Sequence, residues 1–139
     1  MKTLIIGAAG MIGQKLAMRL ASDGQIAHEP LTELMLADVI APPTPSAESS
    51  LRCTGVACDL TQAGVAEQLV SNEPALIYHL AAIVSGEAEA DFDKGYRINM
   101  DGTRALLDAI RHRHNENGYT PTVIFASSIA VYGAPFPAL

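Results

Sequence analysis

The stretch Gly7-Ala8-Ala9-Gly10-Met11-Ile12-Gly13 constrains this chain most. It follows an apolar run (Leu4, Ile5, Ile6) and opens onto a helical pattern of Ile12, Leu16, Ala17 and Leu20. A strand, a tight turn and a helix in that order bring backbone N–H groups and the positive end of the helix dipole to one point. A pyrophosphate can settle there only where no Cβ blocks its approach, and glycines give that clearance. The spacing is G-x-x-G-x-x-G, one residue longer in its first half than G-x-G-x-x-G, so a slightly longer phosphate loop is expected on the same physics. A glycine triplet alone is weak evidence. Its position between a strand and an amphipathic helix favours phosphate binding over an accidental glycine-rich turn.

With 139 residues the chain has the size of one domain, small for a molecule that must hold both a dinucleotide and a substrate. A net charge of -6 and a pI near 5.0 argue against nucleic acid or an anionic membrane as a partner. Small-molecule chemistry is expected instead. No apolar run approaches the roughly 20 residues that span a bilayer, and the chain opens on a strand rather than a charged leader, so a cytoplasmic protein is expected. Cys53 and Cys58 lie on or beside one predicted strand with no other Cys/His cluster, which predicts two reduced thiols and no metal site. His112 and His114 fall at the polar end of a long helix, where a cation suits the dipole. His79 reads as a packed strand histidine.

The first helix is expected to stop near Asp23-Gly24, and Leu34 to Ala37 form a second strand that ends in Asp38. Asp38 stands 25 residues beyond Gly13, where dinucleotide folds place an acid that accepts hydrogen bonds from the adenosine ribose; a solvated acid in a turn is the alternative. Residues 41–50 are rich in proline and serine and predict a surface loop. A third strand over Arg52 to Ala57, a helix capped by Thr61 and running to about Leu69, and a short strand Leu76 to His79 follow. Leu80, Ala81 and Ala82 are apolar and mostly small at a strand's carboxyl end, which suits backbone passing close to a ribose and an adenine edge. Ser85 to Ala90 read as a loop. A long helix is expected from Asp91 to His114, with Phe92, Tyr96, Asn99, Thr103, Leu106, Leu107 and Ile110 at helical spacing. Asn99 is polar on that inward stripe, so it is either a helix-to-backbone brace or a ligand contact. Thr122 to Ala126 form the fifth strand, with Ser127 and Ser128 at its tip. The order β-α-β-β-α-β-α-β predicts an α/β fold with a doubly wound parallel sheet.

These residues together resemble the extended short-chain dehydrogenase/reductase family. The matching pieces are Gly7-x-x-Gly10-x-x-Gly13, Asp38, Asp59-Leu60, His79-Leu80-Ala81-Ala82, Asn99-Met100-Asp101-Gly102-Thr103 and Ser127-Ser128-Ile129-Ala130-Val131-Tyr132-Gly133. The resemblance implies a Rossmann-like sheet, truncated here after its fifth strand, with NAD as cofactor. It also implies cofactor contacts from Gly7, Gly10, Met11, Ile12, Gly13, Asp38, Asp59, Leu60, Leu80, Ala81, Ala82 and Asn99. Ser128 matches the catalytic serine that hydrogen-bonds the substrate oxygen, and Ser85 joins it as a substrate contact. Within the family, Ile83 to Phe92 and Gly133 to Pro137 look most like the branch that oxidises the 2-hydroxyl of the four-carbon sugar acid D-erythronate. Sugar-nucleotide epimerases and dehydratases are the nearest competing branch.

The family's proton-transfer pair is Tyr-x-x-x-Lys, whose lysine lowers the phenol pKa. None of the tyrosines here has it, because Ala82, Met100, Val123 and Phe136 stand four residues after Tyr78, Tyr96, Tyr119 and Tyr132. Residues 1–139 therefore read as one NAD-binding domain, the amino-terminal part of a longer reductase, with its substrate lobe and part of its sheet elsewhere. An uncovered strand edge in such a piece predicts a homo-oligomer. Three readings are carried: a dehydrogenase of a small sugar acid, a sugar-nucleotide epimerase or dehydratase, and a dinucleotide-binding module without turnover.

Overall fold

A computed structural model describes residues 1–46 and 51–128. Five parallel strands form the centre: β1 (Lys2–Ile6), β4 (Glu33–Asp38), β5 (Arg52–Ala57), β6 (Leu76–His79) and β7 (Thr122–Phe125). Their spatial order is β5-β4-β1-β6-β7, so the chain walks outward from β1 in one direction, then returns and walks outward in the other. The reversal falls between β1 and β6, where an open α/β sheet offers a crevice at its carboxyl ends. The doubly wound parallel sheet expected from the sequence is thus present.

Parallel strands covered on both faces must be apolar on both, and β1 is: Leu4 and Ile5 are fully buried and Ile6 nearly so. Alternation sends them to two cores. Ile5, Leu34 and Leu36 pack under helix α1 (Met11–Asp23), against Ala17 and Leu20. Leu4, Ile6 and Ile77 pack on the other face against Leu69 and Val70 of α2 (Val65–Val70) and Leu106 and Ala109 of α5 (Gly102–Asn117). Each buried Leu, Ile or Val among them contributes about 1.5–3 kcal/mol by leaving water. Helix α1 ends where expected, at Gly24 in the left-handed conformation.

Several local expectations are corrected. Between α1 and β4 the chain forms a small antiparallel pair, β2 (Gln25–Ile26) with β3 (Glu29–Pro30), turning through Ala27 and His28 at positive φ. Ala27 gives no sign of that conformation and His28 only a weak one, and no Asn-Gly or Asp-Gly pair marks the turn. Thr61 does not cap a helix. Its amide and hydroxyl both donate to Asp59 Oδ1, at 2.9 and 2.8 Å, and α2 starts four residues later after Gly64. Ser85–Ala90, read as a loop, is helix α3, closed by Asp91, whose carboxylate accepts from the amide of Lys94 at 3.0 Å and so caps α4 (Phe92–Tyr96). The long helix is real but interrupted: Arg97–Asp101 is a π-helical turn between α4 and α5, and α5 runs on to Asn117 before Gly118 ends it. Phe92, Tyr96 and Leu107, placed on the inward stripe by periodicity, are exposed. The π turn explains this in part, since one extra residue shifts the phase of everything before it.

Among the described residues no helix is long and apolar enough to cross a membrane, and no group of His, Cys, Asp and Glu could hold a metal. Ile129, Ala130, Val131, Tyr132 and the Gly133 to Pro137 run lie outside the described residues, as do positions 47–50 of the proline-rich loop.

Candidate functional site

The glycine turn sits on the carboxyl end of β1 and is tied to the neighbouring strand. Gly7 N and Ala8 N both donate to Ala37 O, at 2.9 and 3.1 Å, and Gly10 N donates to Gly7 O at 3.3 Å. The three glycines have different reasons to be there. Gly7 has φ +90°, and a Cβ on it would lie 2.6 Å from Ala81 N. On Gly13 it would lie 2.2 Å from Gly7 O, so the helix start packs directly on the turn. A Cβ on Gly10 would meet nothing closer than Gly7 O at 3.4 Å. The chain itself demands the first and third glycines, whereas Gly10 is exposed and borders open space.

Gln14 N donating to Gly10 O at 2.9 Å is the first bond of the α1 ladder, so the amides of Met11, Ile12 and Gly13 precede it. Gly10 is the N-cap and gives no side-chain cap, and the first turn has no acidic residue to neutralise the dipole. These amides and the positive helix end are arranged to meet an anion.

Asp38 closes the turn from the side. Its Oδ2 accepts from Ala9 N at 2.8 Å and its Oδ1 from Val39 N at 2.7 Å, which leaves each oxygen a further lone pair. Next to it, Cys58 N donates to Asp38 O at 2.7 Å, fixing the end of β5 and setting up the Asp59 turn. A cavity of about 80 Å³ lies between these strand ends, with Gly7, Asp38, Asp59, Leu60, Ala81 and Ile98 in its wall. Five residues singled out in the sequence are therefore brought to one apolar hollow beside the turn. Cys58 also lines it. Burial, then the charges of Asp38 and Asp59, push its thiol above the ordinary range, so it stays protonated and unreactive. Burial likewise raises the Cys53 thiol.

Leu80 N donates to Ile6 O at 2.8 Å, after which the chain leaves the sheet; Ala81 lines the cavity and Ala82 is exposed beside it. The next fixed point is Asn99. Its Oδ1 accepts from Ile83 N at 2.9 Å and its Nδ2 donates to Ile83 O at 3.1 Å. Of the two roles left open for this amide, the geometry realises the backbone brace. Behind it, Thr103 Oγ1 donates to Asn99 O at 2.9 Å and lies 2.8 Å from His79 Nε2. His79 is 2% exposed and tilts against Phe125 with ring centroids 5.5 Å apart, the packed strand histidine expected.

Ser127 and Ser128 are exposed at the tip of β7, where Ala126 N donates to His79 O at 3.1 Å. Ser85 is the first residue of α3. Ser128 is not among the described residues that line the cavity. Ile98, which lines the cavity, was missed in the sequence because a regular helix puts it off the inward stripe. Thr103 was on that stripe and in the matching Asn99–Thr103 run, but no role was given to it.

The sequence pattern of the NAD dependent epimerase/dehydratase family matches residues 3–138. D-Erythronate dehydrogenase of Cupriavidus necator is 40% identical over 141 aligned residues, which cover 99% of this chain and 41% of that enzyme. A solved structure described as a nucleoside-diphosphate-sugar epimerase from Agrobacterium tumefaciens is 55% identical with a TM-score of 0.93, over 99% of this chain and 40% of that one. UDP-glucose 4-epimerase from Brucella ovis, solved in complex with NAD, is 31% identical with a TM-score of 0.73, over 98% of this chain and 38% of that one. The chain thus spans about two fifths of the length of the relatives it matches. A match that begins within β1 and runs beyond the serines after β7 takes in the whole described sheet and the hollow at its carboxyl ends: the chain belongs to the NAD-dependent epimerase/dehydratase family.

Proposed function

We propose that residues 1–139 form the NAD-binding domain of an oxidoreductase that oxidises the 2-hydroxyl of a small sugar acid such as D-erythronate. The observation that carries the cofactor reading is the convergence of Gly10, the free α1 amides and Asp38 on one crevice. In it the pyrophosphate takes the amides of Met11, Ile12 and Gly13. The ribose hydroxyls take the free lone pairs of Asp38, and the adenine edge lies in the hollow of Asp59, Leu60 and Ala81, with the nicotinamide end running past Leu80 and Ala82. NAD supplies a hydride acceptor. Ser128 holds the substrate oxygen, and Ser85 contacts the substrate. Asn99 serves the cofactor through the Ile83 segment it braces.

The sugar-acid reading is supported by the 40% identity to D-erythronate dehydrogenase. A second reading, epimerisation of a sugar nucleotide, is favoured by the 55% identity to a structure described as such an epimerase. The two differ in where the hydride ends. A polypeptide of the relatives' full length that carries this chain accumulates NADH with D-erythronate under the first reading. Under the second it interconverts sugar nucleotides with no net NADH. For the 139-residue chain taken by itself, the exposed Ile124 and Phe125 on β7, the outer strand on that side of the described sheet, support association with a second copy.

A further inference from the structure

We propose that Thr103 is a positioning residue for the crevice: its hydroxyl ties the π-helical turn to β6, and so holds Ile98 on the cavity and Asn99 on Ile83. The inference rests on reading that crevice as the dinucleotide site. A hydroxyl has one proton, and Thr103 gives it to Asn99 O at 2.9 Å. The 2.8 Å contact with His79 must therefore be Nε2–H donating to Thr103 Oγ1. His79 Nδ1, buried without a hydrogen-bond partner among the described residues, then keeps the lone pair. Thr103 thus stands between a strand and a helix, accepting from one and donating to the other.

The π turn gives this bridge its consequence. Gly102 N donates to Arg97 O, the i to i+5 bond that holds one extra residue in the turn. Release of that residue into an ordinary α-helix would rotate the residues on its far side by about 100°. Ile98 would leave the cavity wall and Asn99 would lose both bonds to Ile83. Between Leu80, held by Ile6 O, and Ile83 lie only Ala81 and Ala82, and Ala81 N stands against Gly7 with no room for a methyl group. A shift of Ile83 therefore reaches the glycine turn through two residues. Asn99 is exposed, so water competes for its amide, and the outside anchor decides which register persists.

The test compares Thr103→Val, which keeps the shape and loses both hydrogen bonds, with Thr103→Ser, which keeps the hydroxyl. Hydrogen exchange at the Ile83 amide and calorimetric NAD affinity are read on the 139-residue chain. Thr103→Val should speed Ile83 exchange and weaken NAD, each about tenfold, while Thr103→Ser stays within about threefold of the wild type. Exchange within twofold of wild type in Thr103→Val, or no rescue by serine, overturns the proposal. Nitrogen chemical shifts of His79 in the wild type give a reading that needs no variant: protonation on Nε2 is expected, and on Nδ1 contradicts it. If the wild type binds no NAD, the cofactor reading fails, while the exchange and tautomer results still decide the role of Thr103.

Discussion

The Asp38 carboxylate accepts the amide hydrogen of Ala9 at 2.8 Å, across 29 positions of sequence, so the acid at the end of β4 holds the glycine turn in shape. Under the proposed function the same side chain also receives the ribose. Asp38→Asn keeps an acceptor for Ala9 N–H and loses the charge, whereas Asp38→Ala loses both. Asp38→Ala should therefore weaken NAD more than Asp38→Asn does, and both should narrow the preference over NADP. Equal NAD affinities for the two variants, measured by calorimetry, would show that the Ala9 contact contributes nothing.

The glycines of the turn should separate folding from binding. Gly10→Val is expected to keep a native circular dichroism spectrum and to lower NAD affinity more than tenfold, about 1.4 kcal/mol, because its side chain enters open space that the pyrophosphate needs. Gly13→Ala has a backbone oxygen 2.2 Å from its new Cβ and should cost about 1–3 kcal/mol in a denaturant melt. A Gly10→Val chain that binds NAD as the wild type does would place the phosphate elsewhere.

Burial holds the His79 imidazole below its ordinary value of 6.5. A base whose folded value is depressed binds its proton first in the unfolded chain, so stability rises with pH across that window. The contribution is fully present above 6.5 and is lost as pH falls through 6.5 toward the lower folded value. Urea midpoints at pH 7.5 and 5.5 should therefore fall further for the wild type than for His79→Gln. Equal falls would assign the acid sensitivity to other groups.

Much of the frame was readable because strands and helices here obey simple periods. Leu76–His79 stands at its expected position, since a short apolar run between turn signals leaves few alternatives in a parallel sheet, and Arg52–Ala57 also stands where expected although it is not an apolar run. The glycine turn was readable for a related reason: the close approach of backbone at Gly7 and Gly13 leaves no room for a Cβ. The π turn at Arg97–Asp101 was not, because one inserted residue leaves no mark in composition and depends on a bond from β6. Nor was the helix Ser85–Ala90, whose Gly86 and lack of an apolar stripe hide it. It is held by later residues, through the Lys94 to Glu87 ion pair and the seat of Gly95 on Ala88.

Turnover should require groups that this sequence does not contain. No tyrosine here is followed four residues later by lysine, and positioned acid–base groups are worth typically 10² to 10⁴-fold. The 139-residue chain with NAD and D-erythronate is expected to give no NADH absorbance above background. Sustained NADH formation by this chain would mean that Ser128 or another residue moves the proton unaided.

Calorimetric titration of the 139-residue chain with NAD and, separately, with NADP tests the central claim most directly. A 2′-phosphate beside the Asp38 carboxylate brings like charges together, at a cost of about 4 kcal/mol for unit charges 4 Å apart at an effective dielectric of 20. Val39-Ile40-Ala41 has no cation to offset it. Saturable, one-to-one NAD binding at least a hundredfold tighter than NADP is the predicted result; no NAD binding, or NADP binding as tight or tighter, contradicts it.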